Sequence, residues 1–183
     1  MRKVFLITGL MTAFGLAVLA ASAAAPANFA GTWTLDKTKS QGLSPRMQGA
    51  DSVTWTITQD DKTTSIDQKV TGGQPPAGGG PGGGGMGGGR GPAGPTAYNL
   101  DGSETTMDIG GGPMTGKSTL KATWAGNALE LSRKSMLNGP NGEVTTSETR
   151  KLELSGDGKV LTATVHSESL RGTTDSTLVF NKQ

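Results

Sequence analysis

The stretch Phe29-Ala30-Gly31-Thr32-Trp33-Thr34-Leu35 has the alternation of a β-strand. Phe29, Gly31, Trp33 and Leu35 share one face, and the alanine and threonines take the other. A tryptophan needs a large dry pocket, and a glycine two residues earlier on the same face leaves space beside the ring. The stretch therefore predicts the opening strand of an all-β domain.

The same alternation recurs along the chain. Val53, Trp55 and Ile57 share a face opposite a row of hydroxyl residues, which predicts a second strand. Further strands are expected near 64–70, 96–100, 105–109, 117–124, 129–131, 144–154, 161–165 and 174–180, with glycine-rich turns between them. Segment 36–51 fits one helical turn or a short lid over a barrel mouth. Nine or ten short strands without a helical period predict an antiparallel up-and-down meander closed into a β-barrel.

The order of turns and apolar residues also carries a family resemblance. The segments WAGNALEL (124–131), RKLELSGDGKVLTAT (150–164) and LVFNK (178–182) resemble secreted bacterial proteins of unassigned function with an opening Gly-x-Trp strand. Those proteins look like lipocalin-like (calycin-type) barrels, and the resemblance implies one such domain over residues 28–183. The chain departs from true lipocalins in two ways. It has no Thr-Asp-Tyr between middle strands, and no arginine follows the final strand to cover the tryptophan, since Arg171 precedes that strand and Lys182 is the only cation after it.

The amino terminus has the pattern of a secretory signal peptide. Arg2 and Lys3 precede an uncharged apolar run from residue 4 to 20, and small residues follow at 21–25. We expect residues 1–23 to be removed and the protein to be exported to a bacterial periplasm or beyond, without a stable membrane anchor. The alternative is a retained anchor, because the apolar run is nearly long enough to span a bilayer.

The charge balance argues against a nucleic-acid partner. Removal of residues 1–23 leaves 15 basic and 15 acidic residues, so the formal charge of +2 falls to zero. The remaining basic residues are scattered, whereas a phosphate-binding surface needs them clustered on one face. There is no cysteine, which excludes disulfides and lipidation at a cysteine.

Residues 71–95 are of low complexity. They contain 14 of the 30 glycines and 5 of the 9 prolines, with almost nothing to bury. Such a segment does not offset the entropy of ordering its backbone, so we expect a disordered Gly/Pro-rich loop inserted in a hairpin. The alternative is an adhesive surface segment.

Motifs for catalysis or cofactor binding are weak. The stretch 111–118 matches the phosphate-loop pattern, but an alternating strand pattern follows it where a nucleotide site needs a helix. His166 is the only histidine, and its strand position predicts a solvent-facing side chain. One histidine without cysteines supports neither a catalytic base with a nucleophile nor a histidine-based metal site, although carboxylates alone can hold Ca²⁺. We therefore predict no enzyme, nucleotide site, metal or cofactor.

Several charged and polar residues fall at strand positions that are predicted to face the barrel interior. Glu148 and Arg150 have the same parity as Leu152, so an unbroken strand that buries the leucine also turns both charges inward. Arg133 follows two leucines in the same way, and Gln68 lies between inward-facing apolar residues. Two hypotheses remain open. A bulge near Thr149 would return the charges to solvent, or the barrel holds a polar pocket in which an arginine pairs with a ligand carboxylate.

The function predicted from these patterns is non-enzymatic binding of a small apolar or amphipathic molecule, such as a fatty acid, inside the barrel. The candidate ligand-binding residues are Trp33, Gln68, Arg133, Glu148 and Arg150. The alternative is a filled barrel that acts as an envelope or matrix interaction protein, with residues 71–95 as its contact. A filled barrel would pack Trp33, Trp55 and Trp124 against one another.

Overall fold

The computed structural model describes residues 26–72, 94–111, 114–139, 142–170 and 172–183. The predicted signal peptide and all but the ends of the Gly/Pro-rich segment lie outside these ranges. The described residues form ten strands and one short helix. These are β1 (Gly31–Leu35), α1 (Pro45–Gly49), β2 (Ser52–Gln59), β3 (Thr63–Thr71), β4 (Thr96–Asn99), β5 (Thr105–Gly111), β6 (Met114–Ala125), β7 (Ala128–Gly139), β8 (Gly142–Leu154), β9 (Val160–Ser169) and β10 (Gly172–Lys182).

All strands belong to one antiparallel sheet with the order β4-β3-β2-β1-β10-β9-β8-β7-β6-β5. Each strand pairs with its neighbours in sequence except at β4–β5, and the pairing of β1 with β10 joins the two halves of the sheet. The sheet curls until β4 lies beside β6, which makes a nearly closed barrel with β4 and β5 as its edges. The fold is a lipocalin-like β-barrel. The predicted all-β, up-and-down meander is confirmed.

The two ends of the barrel differ. Because consecutive strands run in opposite directions, the connections β1–β2, β5–β6, β7–β8 and β9–β10 all lie at one end, which we call the helix end because α1 is there. The other end, the terminal end, holds the start of β1 and the end of β10. The predicted helical turn in segment 36–51 is present. Ser44 caps it by accepting a hydrogen bond from the backbone of Met47, and Pro45 fits the first turn.

The terminal end is closed by aromatic packing around Trp33. This side chain is fully buried, and its indole Nε1 donates a hydrogen bond of 2.9 Å to the carbonyl of Phe29. The ring of Phe29 stacks on Trp124 with centroids 6.2 Å apart. Lys182 places its Nζ 5.2 Å from the centre of the Trp33 ring. A lysine within β10 thus takes the covering position that an arginine usually fills, and its charge is attracted to the ring face.

Gly31 lies beside this cluster, as its position two residues before Trp33 predicts. Its φ of +142° is a conformation that residues with a side chain rarely adopt. A Cβ at this position would lie 3.0 Å from Cε of Lys182. The glycine is therefore required by its backbone conformation, and a side chain here would also displace the end of the lysine that covers Trp33.

The aspartates in the polar turns bind backbone N–H groups, as expected for this residue type in turns. Asp60 accepts hydrogen bonds from the backbone N–H groups of Lys62 and Thr63, and these bonds lower the pKa of its carboxyl group. Asp101 and Asp157 bond to backbone N–H groups in their own turns in the same way.

The described residues that follow Gly111 form strand β6, so no helix N-terminus is present there to hold a phosphate.

Gly31→Ala tests this packing. We expect it to lower the free energy of unfolding by about 1–3 kcal/mol, because alanine is strained at this φ and its methyl group displaces Lys182. Chemical denaturation followed by tryptophan fluorescence measures the change. Gly156→Ala is the control, since Gly156 has no atom within 4 Å of an added Cβ. Equal stabilities of the two variants would contradict the requirement for glycine at position 31.

Candidate functional site

Strand β8 pairs with both neighbours without interruption. Thr149 lies opposite Ser132 on β7 and His166 on β9, and the register continues unchanged on either side. The hypothesis of a bulge near Thr149 is therefore wrong. Because side chains alternate along an unbroken strand, Glu148 and Arg150 face the barrel interior together with buried Leu152.

Trp55 lies at the centre of the interior. Its ring packs against Phe180 on one side, with centroids 4.3 Å apart, and Cζ of Arg150 lies 5.4 Å from its centre on another. Strands β2 and β8 are four positions apart in the sheet, so the contact between Trp55 and Arg150 crosses the interior. The guanidinium group is attracted to the electron-rich face of the indole. Trp55 thereby forms the floor of the polar region.

Arg150 and Glu148 form an ion pair inside the barrel. Nε of Arg150 lies 2.7 Å from Oε1 of Glu148, and the two side chains are 22% and 30% exposed. Burial acts against the charge of Arg150, but Glu148 and then Tyr98 outweigh it and raise the pKa of the guanidinium group. Beside Nε, the guanidinium group of Arg150 carries two terminal nitrogens, which are hydrogen-bond donors only. These nitrogens can donate to a bound molecule.

Arg133 is held by two buried hydroxyl groups. Its Nε donates to Oγ of Ser118 at 3.2 Å and to Oγ of Ser135 at 3.3 Å. The two serines are 0% and 5% exposed and lie 2.6 Å apart, oxygen to oxygen. They therefore fix the guanidinium group in one orientation, and within the described chain its terminal nitrogens have no hydrogen-bond partner.

Tyr98 and Gln68 complete the polar region from the opposite wall. Tyr98 is 3% exposed, and its hydroxyl makes no hydrogen bond with the described residues. Since no fully buried side-chain oxygen or nitrogen in the described chain lacks a partner, this hydroxyl faces accessible space. Burial raises the pKa of Tyr98. Gln68 accepts a hydrogen bond of 2.9 Å from the indole Nε1 of Trp55 through its Oε1.

The structure brings four of the five predicted site residues into one region and leaves the fifth apart. Trp33 is sealed at the terminal end beneath Lys182 and does not share the polar region. Three residues that the sequence did not indicate join the other four. We call the resulting set the polar belt: Gln68, Tyr98, Ser118, Arg133, Ser135, Glu148 and Arg150.

Apolar layers lie on both sides of the polar belt. Toward the terminal end, the inward residues of β6 to β9 are buried leucines and alanines. Toward the helix end, four strands carry half-buried aliphatic side chains at inward positions, namely Val70, Ile109, Leu137 and Val144, while β8 to β10 carry hydroxyl residues there, among them Thr146, Ser167 and Ser176. The interior thus has a filled apolar floor, a polar belt with two guanidinium groups, and a mixed aliphatic and hydroxyl mouth that is partly open to solvent. Trp33 and Trp55 are direct partners across β1 and β2 and face the same side, while Trp124 stacks on Phe29.

On the outer surface, His166 lies between two carboxylates. His166 is exposed, as predicted, with Nδ1 2.6 Å from Oδ1 of Asp175 and Nε2 3.6 Å from Oε1 of Glu168. The hydrogen bond to Asp175 raises the pKa of His166. Over the described ranges, no group of three or more His, Asp or Glu side chains is arranged to hold a metal ion.

A shallow depression of about 310 Å³ lies on the outer face of β6–β8. It is lined by Glu104, Thr119, Lys121, Ser132, Arg133, Lys134, Ser147, Glu148 and Thr149 and is open to solvent. Two of these residues, Arg133 and Glu148, also belong to the polar belt. In the part of the chain that the structure covers, no helix has the length and apolarity to cross a membrane.

Comparison with known proteins gives a likeness in fold alone. No protein-family model matches the chain, and no curated protein matches it. Among solved structures, the chain is similar to zebrafish ileal bile acid-binding protein complexed with cholic acid. The TM-score is 0.46 and the sequence identity 16%, over 85% of this chain and 98% of that chain.

Tyr98 provides a direct test of the buried belt, because it is the only tyrosine in the chain. Its raised pKa means that the native protein keeps the phenolic proton at a pH where the unfolded chain, with a pKa of about 10, has lost it. The unfolded state then binds fewer protons, so the free energy of unfolding falls as pH rises above about 10.

Absorbance at 295 nm after a rapid pH jump measures this ionisation before the protein unfolds. The same titration in denaturant is the reference. A native midpoint at or below the denatured one would show that Tyr98 is not buried.

Proposed function

We propose that the barrel binds a small amphipathic molecule that carries an acidic group. The observation that supports this is that two guanidinium groups, of Arg133 and Arg150, face the interior, and that the terminal nitrogens of Arg133 have no hydrogen-bond partner among the described residues. Charged donors in a partly buried site are costly unless an acceptor meets them. An acid group supplies such an acceptor, and guanidinium groups bind carboxylates through paired hydrogen bonds.

The layers of the interior support a direction for the bound molecule. The floor beneath the polar belt is filled by Trp55 and Phe180, so the acid group lies in the belt and the apolar part extends toward the helix end. There the half-buried aliphatic side chains of β3, β5, β7 and β8 cover one side of it. Burial of a chain of methylene groups stabilises such a complex by about 0.8 kcal/mol for each group that leaves water.

Matched substitutions test this role. Arg133→Gln and Arg150→Gln are each expected to weaken binding of dodecanoate about 10- to 100-fold, because each removes charged hydrogen bonds to the acid group. Lys134→Gln and Lys151→Gln are the controls, since these lysines are the adjacent residues on the outer face. Isothermal titration calorimetry measures the affinities, and dodecanol serves as the uncharged ligand.

The outcomes separate the two functional hypotheses. Preference of the wild type for dodecanoate over dodecanol, lost in the arginine variants alone, supports the acid site. A wild-type protein that binds neither molecule would favour the filled barrel with a macromolecular partner. Equal effects of the inner and outer substitutions would show that the loss comes from net charge and not from the polar belt.

Export is the second part of the proposal. The positive start, apolar run and small residues within 1–25 support removal of residues 1–23 and a location in the periplasm or outside the cell. We expect intact-mass measurement of the protein from its native envelope to give a chain that begins at Ala24 or Ala25. An intact amino terminus in the membrane fraction would instead support a retained anchor.

A further inference from the structure

The interior charges of the polar belt do not balance. Its charged side chains are Arg133, Glu148 and Arg150, which carry a net charge of +1. The other charged residues on the strands that line this region face outward, and Lys182 lies at the terminal end over Trp33. An uncompensated charge in a region of low dielectric is unfavourable, so one negative charge from outside completes the site.

The positive charge without a carboxylate partner is that of Arg133. Glu148 lies against Arg150 and neutralises it. Arg133 lies opposite Glu148 on the neighbouring strand, yet no described carboxylate oxygen lies within the 4.0 Å that defines an ion pair with it. Its partners are the neutral hydroxyls of Ser118 and Ser135. These serines hold the guanidinium group in place without satisfying its charge.

The hydrogen bond between Ser118 and Ser135 leaves one hydroxyl hydrogen free to donate to a ligand. Each hydroxyl has one hydrogen, and the contact of 2.6 Å between the two oxygens uses only one of them. Nε of Arg133 donates to both oxygens, so the second hydroxyl hydrogen is left to donate elsewhere. The terminal nitrogens of Arg133 and this hydroxyl together form a set of donors for one acid group.

We propose that Glu148 sets the charge of the bound molecule, so that the barrel accepts head groups with one negative charge and rejects those with two. This inference rests on the proposed function and adds a selecting residue to it. The first negative charge of a ligand is matched by Arg133. A second negative charge on the ligand has no further cation to pair with. It lies beside the carboxylate of Glu148, which repels it.

Two ligands of the same shape and different charge test the selection. Decyl sulfate carries one negative charge, and decyl phosphate at pH 8 carries nearly two, because its second proton dissociates near pH 6. Both are used below their micelle concentrations, and calorimetry measures their affinities. We expect the wild type to bind the sulfate at least tenfold more tightly than the phosphate.

Glu148→Gln should reverse this preference or reduce it at least tenfold, because the interior charge then rises to +2 while the side chain keeps its size. Glu153→Gln is the matched control, since Glu153 lies on the outer face of the same strand and pairs with Lys151. This variant should keep the wild-type ratio of affinities. Circular dichroism establishes that each variant is folded.

Three results would overturn the inference. Equal affinity of the wild type for the two ligands contradicts charge selection without the use of any variant, so the test holds even where Glu148→Gln does not fold. An unchanged ratio in folded Glu148→Gln contradicts the role of this residue while the proposed function stands. Binding of neither ligand by the wild type overturns the proposed function itself.

Discussion

The uninterrupted register of β8 is the constraint on which the polar belt depends. A strand that buries Leu152 and stays paired on both sides has no means of turning Arg150 and Glu148 outward. The barrel interior therefore contains charged side chains, and residues on neighbouring strands contact them. An indole face lies under one guanidinium group, and two serines on β6 and β7 receive the other. The polar belt is thus a consequence of strand pairing together with the order of residues along one strand.

The filled terminal end sets the level in the barrel at which the polar belt begins. Trp33 is closed in by Phe29 and Lys182, while Trp55 marks the level at which apolar packing gives way to polar side chains. The barrel is therefore filled with apolar side chains at its terminal end and lined by polar side chains above them. A rigid apolar floor holds the groups above it at fixed positions.

Much of the fold could be predicted from the sequence, because strand alternation and turn residues are local signals. The opening strand, the glycine beside Trp33 and the inward parity of Arg133 and Arg150 all follow from period-two spacing. The partners of those arginines could not be predicted, since they depend on which strands become neighbours and in what register. Ser118 and Ser135 look like ordinary strand hydroxyls in the sequence, and Tyr98 reaches the belt only because the sheet curls.

Trp33 was grouped with the site for a related reason. Its size predicts burial but not the end of the barrel at which it is buried, and Lys182 lies over it only because β10 pairs with β1.

The length of the connection between β3 and β4 affects how firmly the edge strand β4 is held in the barrel. The sequence places 24 residues between Thr71 and Thr96, whereas the hairpins of β6–β9 turn in two to five. In an unconstrained chain, closure through 24 residues costs about 1.6 kcal/mol more in entropy than closure through four. Of the two edge strands, β4 has four residue pairs, which hold Tyr98 in place, whereas β5 has seven. Local opening at β4 uncovers the polar belt while the floor stays intact.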